Sequence, residues 1–233
     1  MRTISLPRRD DKLIFVFISH ADEERKVANS LKIGLENLGL EAFLAHDDIE
    51  GGIDWKPFLI NKLEECDLFI PLLSKAYRLA DFTDQEAGIA FALEKPMVPI
   101  SLDGTMPYGF INKWQAIKCL SGFDDNTIHK IYDLISIHTE KGQREINSLI
   151  AKLARAERWV DANTVARSLF VHTKFTDEQI NHIARAFVEN SEVSGSWTAG
   201  PRSLEALQKN WKRILPSLQR KLRPYIEDKE IEG

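Results

Sequence analysis

Cysteine is scarce in this chain: of 233 residues only Cys66 and Cys119 are cysteines, with no CxxC pair and no metal-ligand spacing. A disulfide framework is therefore not expected, and a reducing cytoplasm fits. Long apolar runs are also missing. None approaches the roughly 20 residues that cross a bilayer, and the opening stretch Met1 to Asp10 lacks the apolar core of a signal peptide. There is no Walker-type or GxGxxG loop, which argues against a P-loop NTPase or a Rossmann dehydrogenase. A strong basic excess is absent too. The net charge is −4; residues 1–139 carry 15 Lys/Arg against 22 Asp/Glu, and residues 140–233 carry 16 against 13. Balances of −7 and +3 do not mark a nucleic-acid protein. No internal repeat and no low-complexity segment occurs.

With 43% hydrophobic and 28% charged residues the chain reads as globular. The change of charge sign near residue 140 coincides with a change of pattern. The first half alternates strand and helix. Leu13 to Ile18 is a continuous apolar run, as expected of a strand buried on both faces of a parallel sheet. A helix with Val27, Leu31, Leu35 and Leu38 on one face follows, with Ser19 and Asp22 at capping-box spacing before it. Strands are expected at Glu41–Ala45, Leu68–Leu73, Met97–Ser101 and Ala116–Leu120, and helices at Trp55–Cys66 and Gln85–Leu93. Five strands interleaved with helices predict a doubly wound α/β sheet.

The second half has no strand signal. Helices are expected at 126–139, 144–156, 161–172, 176–190 and 203–222, with a loop over 195–201. Thr176 and Gln179 form a capping box before the stripe Ile180, Ile183, Ala184, Phe187. The expected organisation is a tail over 1–11, an α/β domain over 12–123, a connecting helix or linker over 124–142, and an all-α domain over 143–233.

Two stretches carry the functional signal. One is Phe15-Val-Phe-Ile-Ser19-His20-Ala-Asp22-Glu. The other is Ser74-Lys-Ala-Tyr77-Arg-Leu-Ala80-Asp-Phe82-Thr-Asp-Gln-Glu86, which follows the third strand and sets an aromatic and a carboxylate four residues apart. Together they resemble a TIR domain (Toll/interleukin-1 receptor homology) of the prokaryotic, NAD-consuming type, over about residues 12–121. The resemblance implies a flavodoxin-like fold with strand order 2-1-3-4-5. In such a sheet ligands bind beyond the carboxyl ends of strands one and three, where the order reverses. Ser19 and His20 follow strand one and the Ser74–Glu86 stretch follows strand three, so both fall on that crevice.

By resemblance, Glu86 is the catalytic residue and Phe82 packs in the same site, where the family often has Trp; Ala80 stands where Ser is common. NAD+ is then substrate, not cofactor. Nicotinamide is a cationic pyridinium that leaves as a neutral base without a general acid. One fixed carboxylate suffices to stabilise the oxocarbenium-like transition state, where ordinary glycosides need two. The other reading of Glu86 is a dipole partner in a first helical turn.

Further NAD-binding candidates are Ser19, His20, Asp47 and Trp55. Ser19 reads first as a helix cap and only weakly as a pyrophosphate contact, because Asp22, Glu23 and Glu24 offset the helix terminus. His20 and His46 read as packing or capping residues before they read as bases. The loop from His46 to Trp55, with Gly51-Gly52, corresponds to the loop that borders the NAD site and mediates TIR–TIR stacking. It is a mobile lid or a solvated acidic turn; its acids lack EF-hand spacing, and no metal is expected.

The resemblance implies a cytoplasmic NAD+ glycohydrolase or ADP-ribosyl cyclase of antiviral immunity, self-associating through TIR contacts, with a downstream effector responding to a cyclic product. The rival is a non-enzymatic adaptor that acts by assembly. A nucleic-acid-reading helical half has little support.

Overall fold

The computed structural model describes residues 13–44 and 55–226. The chain divides into two compact units, Met1–Lys141 and Gly142–Gly233, each with its own apolar core. The first unit holds five parallel strands, β1 (Phe15–Ser19), β2 (Glu41–Leu44), β3 (Leu68–Leu73), β4 (Ile100–Ser101) and β5 (Ile117–Lys118). Their order is β2-β1-β3-β4-β5, so the expected flavodoxin-like winding is present. The register aligns Phe17 with Phe43 on one side and with Phe69 on the other, and Ser19 with Pro71. Strand β4 is shorter than the sequence suggested. Pro99 has no N–H to give to a ladder, and Met97 before it makes only an isolated bridge to Phe69.

Side chains alternate across a strand, and here the alternation sorts them into two layers. Val16 and Ile18 of β1, with Leu68, Ile70 and Leu72 of β3, pack in a cluster with Ala28, Leu31 and Leu35 of α1 (Arg25–Asn37). Phe15 and Phe17, with Phe69 and Leu73, pack on the other side with Leu59 and Leu63 of α2 (Trp55–Glu65) and Ala87 and Ala90 of α3 (Thr83–Ala92). The second layer is aromatic: Phe17 lies 5.2 Å from Phe43 and 5.6 Å from Phe69, centroid to centroid. Strand positions two apart share a face, so the side chain of Ser19 belongs with Phe15 and Phe17, on the α3 side.

Three further expectations change in this unit. Ser19 does not cap α1: it is the last residue of β1, and a 3-10 turn over Asp22–Glu24 intervenes, its N-cap Ala21 making no side-chain cap. The segment 124–142, expected as a connecting helix or linker, is helical as α4 (Asp125–His138), and its Ile128, Ile131 and Ile135 lie in the α1-side core. A Cβ on Gly34 would stand 2.6 Å from Ile128 Cδ1, so the glycine lets α1 approach α4. α3 begins at Thr83, two residues before expectation.

The second unit is helical among its described residues: α5 (Glu140–Ala154, whose first two residues precede the division), α6 (Trp159–Leu169), α7 (Asp177–Glu189), α8 (Ser191–Ser194), α9 (Ala199–Lys209) and α10 (Pro216–Ile226). The capping box at α7 is formed, Thr176 and Gln179 bonding reciprocally. The expected loop over 195–201 is shorter, because α9 starts at Ala199 and takes Pro201 into its first turn, where a missing N–H is tolerated. Asn163 Oδ1 accepts from Thr198 N and Ala199 N at 2.8 and 3.0 Å and so anchors this start. A Cβ on Gly200 would stand 2.7 Å from the Ser194 carbonyl oxygen, which only glycine avoids.

Candidate active site

The carboxyl ends of β1 and β3 bring two distant stretches together. Ser19 ends β1 on the α3 side; Glu86 lies in the first turn of α3. Ser19 Oγ donates to Glu86 Oε2 at 2.5 Å, and Ser19 Oγ and the Tyr77 hydroxyl lie 3.0 Å apart. All three side chains are fully buried. The relative exposure of the crevice carboxylate Glu86 is 0%. Burial penalises the charged form, and it pushes the Glu86 carboxyl up from 4.5 to about 7 despite the opposing hydrogen bond from Ser19.

A helix dipole needs no buried partner. Asp84, in the same turn, is exposed and accepts from the Tyr108 hydroxyl at 2.8 Å, with the Arg78 guanidinium 4.6 Å from the Tyr108 ring centroid. Burying Glu86 is therefore a cost with no purpose in capping α3. A buried carboxyl poised near neutrality beside a hydroxyl donor can act electrostatically or accept a proton.

Tyr77, in the 3-10 turn Tyr77–Leu79, is held at both ends of its backbone. Its N–H donates to Ser74 Oγ at 3.0 Å, and its carbonyl accepts from Thr83 Oγ1 at 2.6 Å. Thr83 Oγ1 also lies 2.9 Å from the Ala80 carbonyl. Desolvation raises the phenol well above its ordinary range.

The other predicted residues are distributed as follows. His20 follows β1 and is buried. Phe82 is the N-cap of α3; its carbonyl accepts from Glu86 N at 2.9 Å, while its ring is 39% exposed. Asp47 and the rest of the loop from His46 to Asp54 lie outside the described residues, as does the side chain of Trp55, the first residue of α2. Tyr77 was not singled out from sequence. The signal was a tyrosine flanked by Ser74 and Thr83 straight after a buried strand, legible only once the strand's phase is known. Among the described residues no group of three or more His, Cys, Asp or Glu could hold a metal ion, and both cysteines are free, buried thiols.

Comparison with known families matches residues 16–132 to the family described as TIR domain. The match runs past 123 and into α4, in keeping with the core contacts of that helix. Among curated proteins none matches the chain. No helix among the described residues is long and apolar enough to cross a membrane.

Proposed function

The chain belongs to the TIR domain family, and from that premise we propose that it cleaves the nicotinamide–ribose bond of NAD+, with Glu86 as the catalytic carboxylate. The observation that carries this reading is the buried Glu86 carboxyl, hydrogen-bonded to Ser19 at the point where the strand order reverses. In its ionised form Glu86 stabilises the positive charge that develops on the ribose. The bond between C1′ and the pyridinium nitrogen breaks, and its electron pair leaves with neutral nicotinamide. Water then adds to C1′ and loses a proton to give ADP-ribose; attack by an adenine nitrogen or a ribose hydroxyl gives a cyclic product instead. Phe82 packs against the nicotinamide end, with Ser19, His20, Asp47 and Trp55 as further contacts. NAD+ is the substrate, and no cofactor is required.

Because Glu86 is buried, the site must open to admit a dinucleotide. TIR self-association accompanies that opening, and the loop from Asp47 to Trp55 is the proposed contact. The cellular setting is cytoplasmic innate immunity, with a downstream effector reading a cyclic product. The rival reading, an adaptor that acts by assembly alone, is favoured by one observation: Phe91 and Phe110 stack with centroids 4.7 Å apart while 40% and 58% exposed.

The test is incubation of purified protein with NAD+ at low and high protein concentration, with products identified by mass spectrometry. Nicotinamide with ADP-ribose, or with a product one water lighter, is expected, and specific activity should rise with concentration. Intact NAD+ at every concentration would favour the adaptor.

A further inference from the structure

Tyr77 poses a question that packing does not answer. Its side chain is fully buried, and phenylalanine would fill the same space without bringing a hydroxyl into the core, where a polar group is costly unless bonded. The hydroxyl has two neighbours, Ser19 Oγ at 3.0 Å and the Thr83 carbonyl oxygen at 3.5 Å. Ser19 and Tyr77 own one hydroxyl hydrogen each, so the directions are coupled. When Ser19 donates to Glu86, the 3.0 Å contact is made by Tyr77 donating to Ser19, and the phenol hydrogen is not given to the Thr83 carbonyl. If Glu86 were protonated and donated to Ser19, the chain would run in reverse. Its last bond would then be the 3.5 Å approach to Thr83, at the outer limit of a hydrogen bond. The geometry favours the direction that ends on a carboxylate.

We propose that Tyr77 is a positioning residue for Glu86, acting through Ser19 to orient the carboxylate and to hold the hydrogen-bond chain in the direction that favours its ionised form. Hydrogen bonds in series polarise one another, by about 10–30% per bond, so the phenol strengthens the Ser19 donation without touching Glu86. The backbone bonds of Tyr77 to Ser74 and Thr83 fix where that phenol sits. The titratable and charged groups on the surrounding segments include Arg78 in the turn of Tyr77, Asp81 before α3, His20 after β1, Asp84 in α3, Tyr108 on Asp84, and Lys62 and Glu65 of α2. Lys62 is directed at the rings of Phe15, Phe43 and Phe58, 5.4 to 5.8 Å from their centroids, and 3.9 Å from Glu65. As regards catalysis the proposal rests on the reading of Glu86 given above.

The test separates the two. In the substrate-free protein, carbon-detected NMR follows the titration of the Glu86 carboxyl in wild type, Tyr77→Phe and Ser19→Ala, with no need for activity. Loss of either hydroxyl should move the midpoint upward, by about half a pH unit for Tyr77→Phe and more for Ser19→Ala. Installing 3-fluorotyrosine at position 77 alone makes the phenol a stronger donor and should move it downward, a change of sign that packing cannot produce. In turnover, Tyr77→Phe should lower kcat several-fold at pH 7 with KM within about two-fold, and the acid limb of the kcat profile should shift with the NMR midpoint. A midpoint unmoved by both Tyr77→Phe and fluorination overturns the proposal. If wild type does not cleave NAD+, the enzymatic reading falls, and the NMR comparison still decides whether Tyr77 controls Glu86.

Discussion

Glu86→Gln should make the protein inactive and, at neutral to alkaline pH, more stable. The folded state raises this carboxyl from 4.5 to about 7. Between those values the folded protein holds a proton that the unfolded chain has released, so stability falls as pH rises through that window. Below about pH 4.5 both states are protonated and the cost vanishes; above about pH 7 it is fully felt. Two and a half pH units correspond to about 3 kcal/mol. Glutamine keeps the shape and can still accept from Ser19, but its NH2 needs an acceptor, at a cost of about 1 kcal/mol. The net gain at pH 8 is about 2 kcal/mol, or about 4–8 °C in the melting transition of the first unit. Calorimetry of wild type and Glu86→Gln at pH 8 and pH 4.5 reads this directly, and it resolves the two units if they melt separately. NAD+ turnover should fall about 100- to 1000-fold in the same protein. A Glu86→Gln protein no more stable at pH 8, or stabilised equally at both pH values, would refute the argument that burial of a charge is being endured at this site.

Wild-type NAD+ cleavage should rise with pH through about 7 as Glu86 ionises, and a pH–rate profile flat from 5.5 to 8.5 would contradict that. Gly34→Ile should cost about 1–3 kcal/mol by overpacking against Ile128, partly recovered in the Gly34→Ile, Ile128→Ala double variant; urea denaturation checks both. Asn163→Ala removes the acceptor of two backbone N–H groups and should destabilise the helical unit by about 1–3 kcal/mol, with faster amide exchange at Thr198 and Ala199. Thr176→Ala should cost about 1 kcal/mol through loss of the capping box, measured by the same denaturation.

The doubly wound fold was legible because the central strands are short apolar runs and α1 shows its helical period, whereas the sheet order was expected from the TIR resemblance alone. The crevice could be located for the same reason, since fold logic carries Ser19 and the 74–86 stretch to adjacent strand ends. What the sequence hid lies in long-range contacts. Ser19 at capping-box spacing read as a cap, but its hydroxyl meets partners 58 and 67 positions away. The full burial of Glu86 could not be read from its place in a first helical turn, because spacing cannot tell whether a neighbouring strand covers a helix face. The role of α4 was hidden in the same way: its apolar stripe is visible, but only the close approach that Gly34 permits assigns it to the first unit's core.

The parity of β1 has one more consequence, for how a site can be miscopied. Both faces of Phe15–Ser19 are apolar up to Ile18, so hydrophobicity alone barely distinguishes the strand from a copy shifted by one residue. Only the contrast of ring against branched chain, and the terminal hydroxyl, carry the phase. A single-residue insertion within β1 would still yield a buried strand. It would turn Ser19 toward the aliphatic layer of Leu31 and Ile131 and take from Glu86 the donor that opposes its protonation. The fold would accept the error, and Ser19 is the letter at which it would be read.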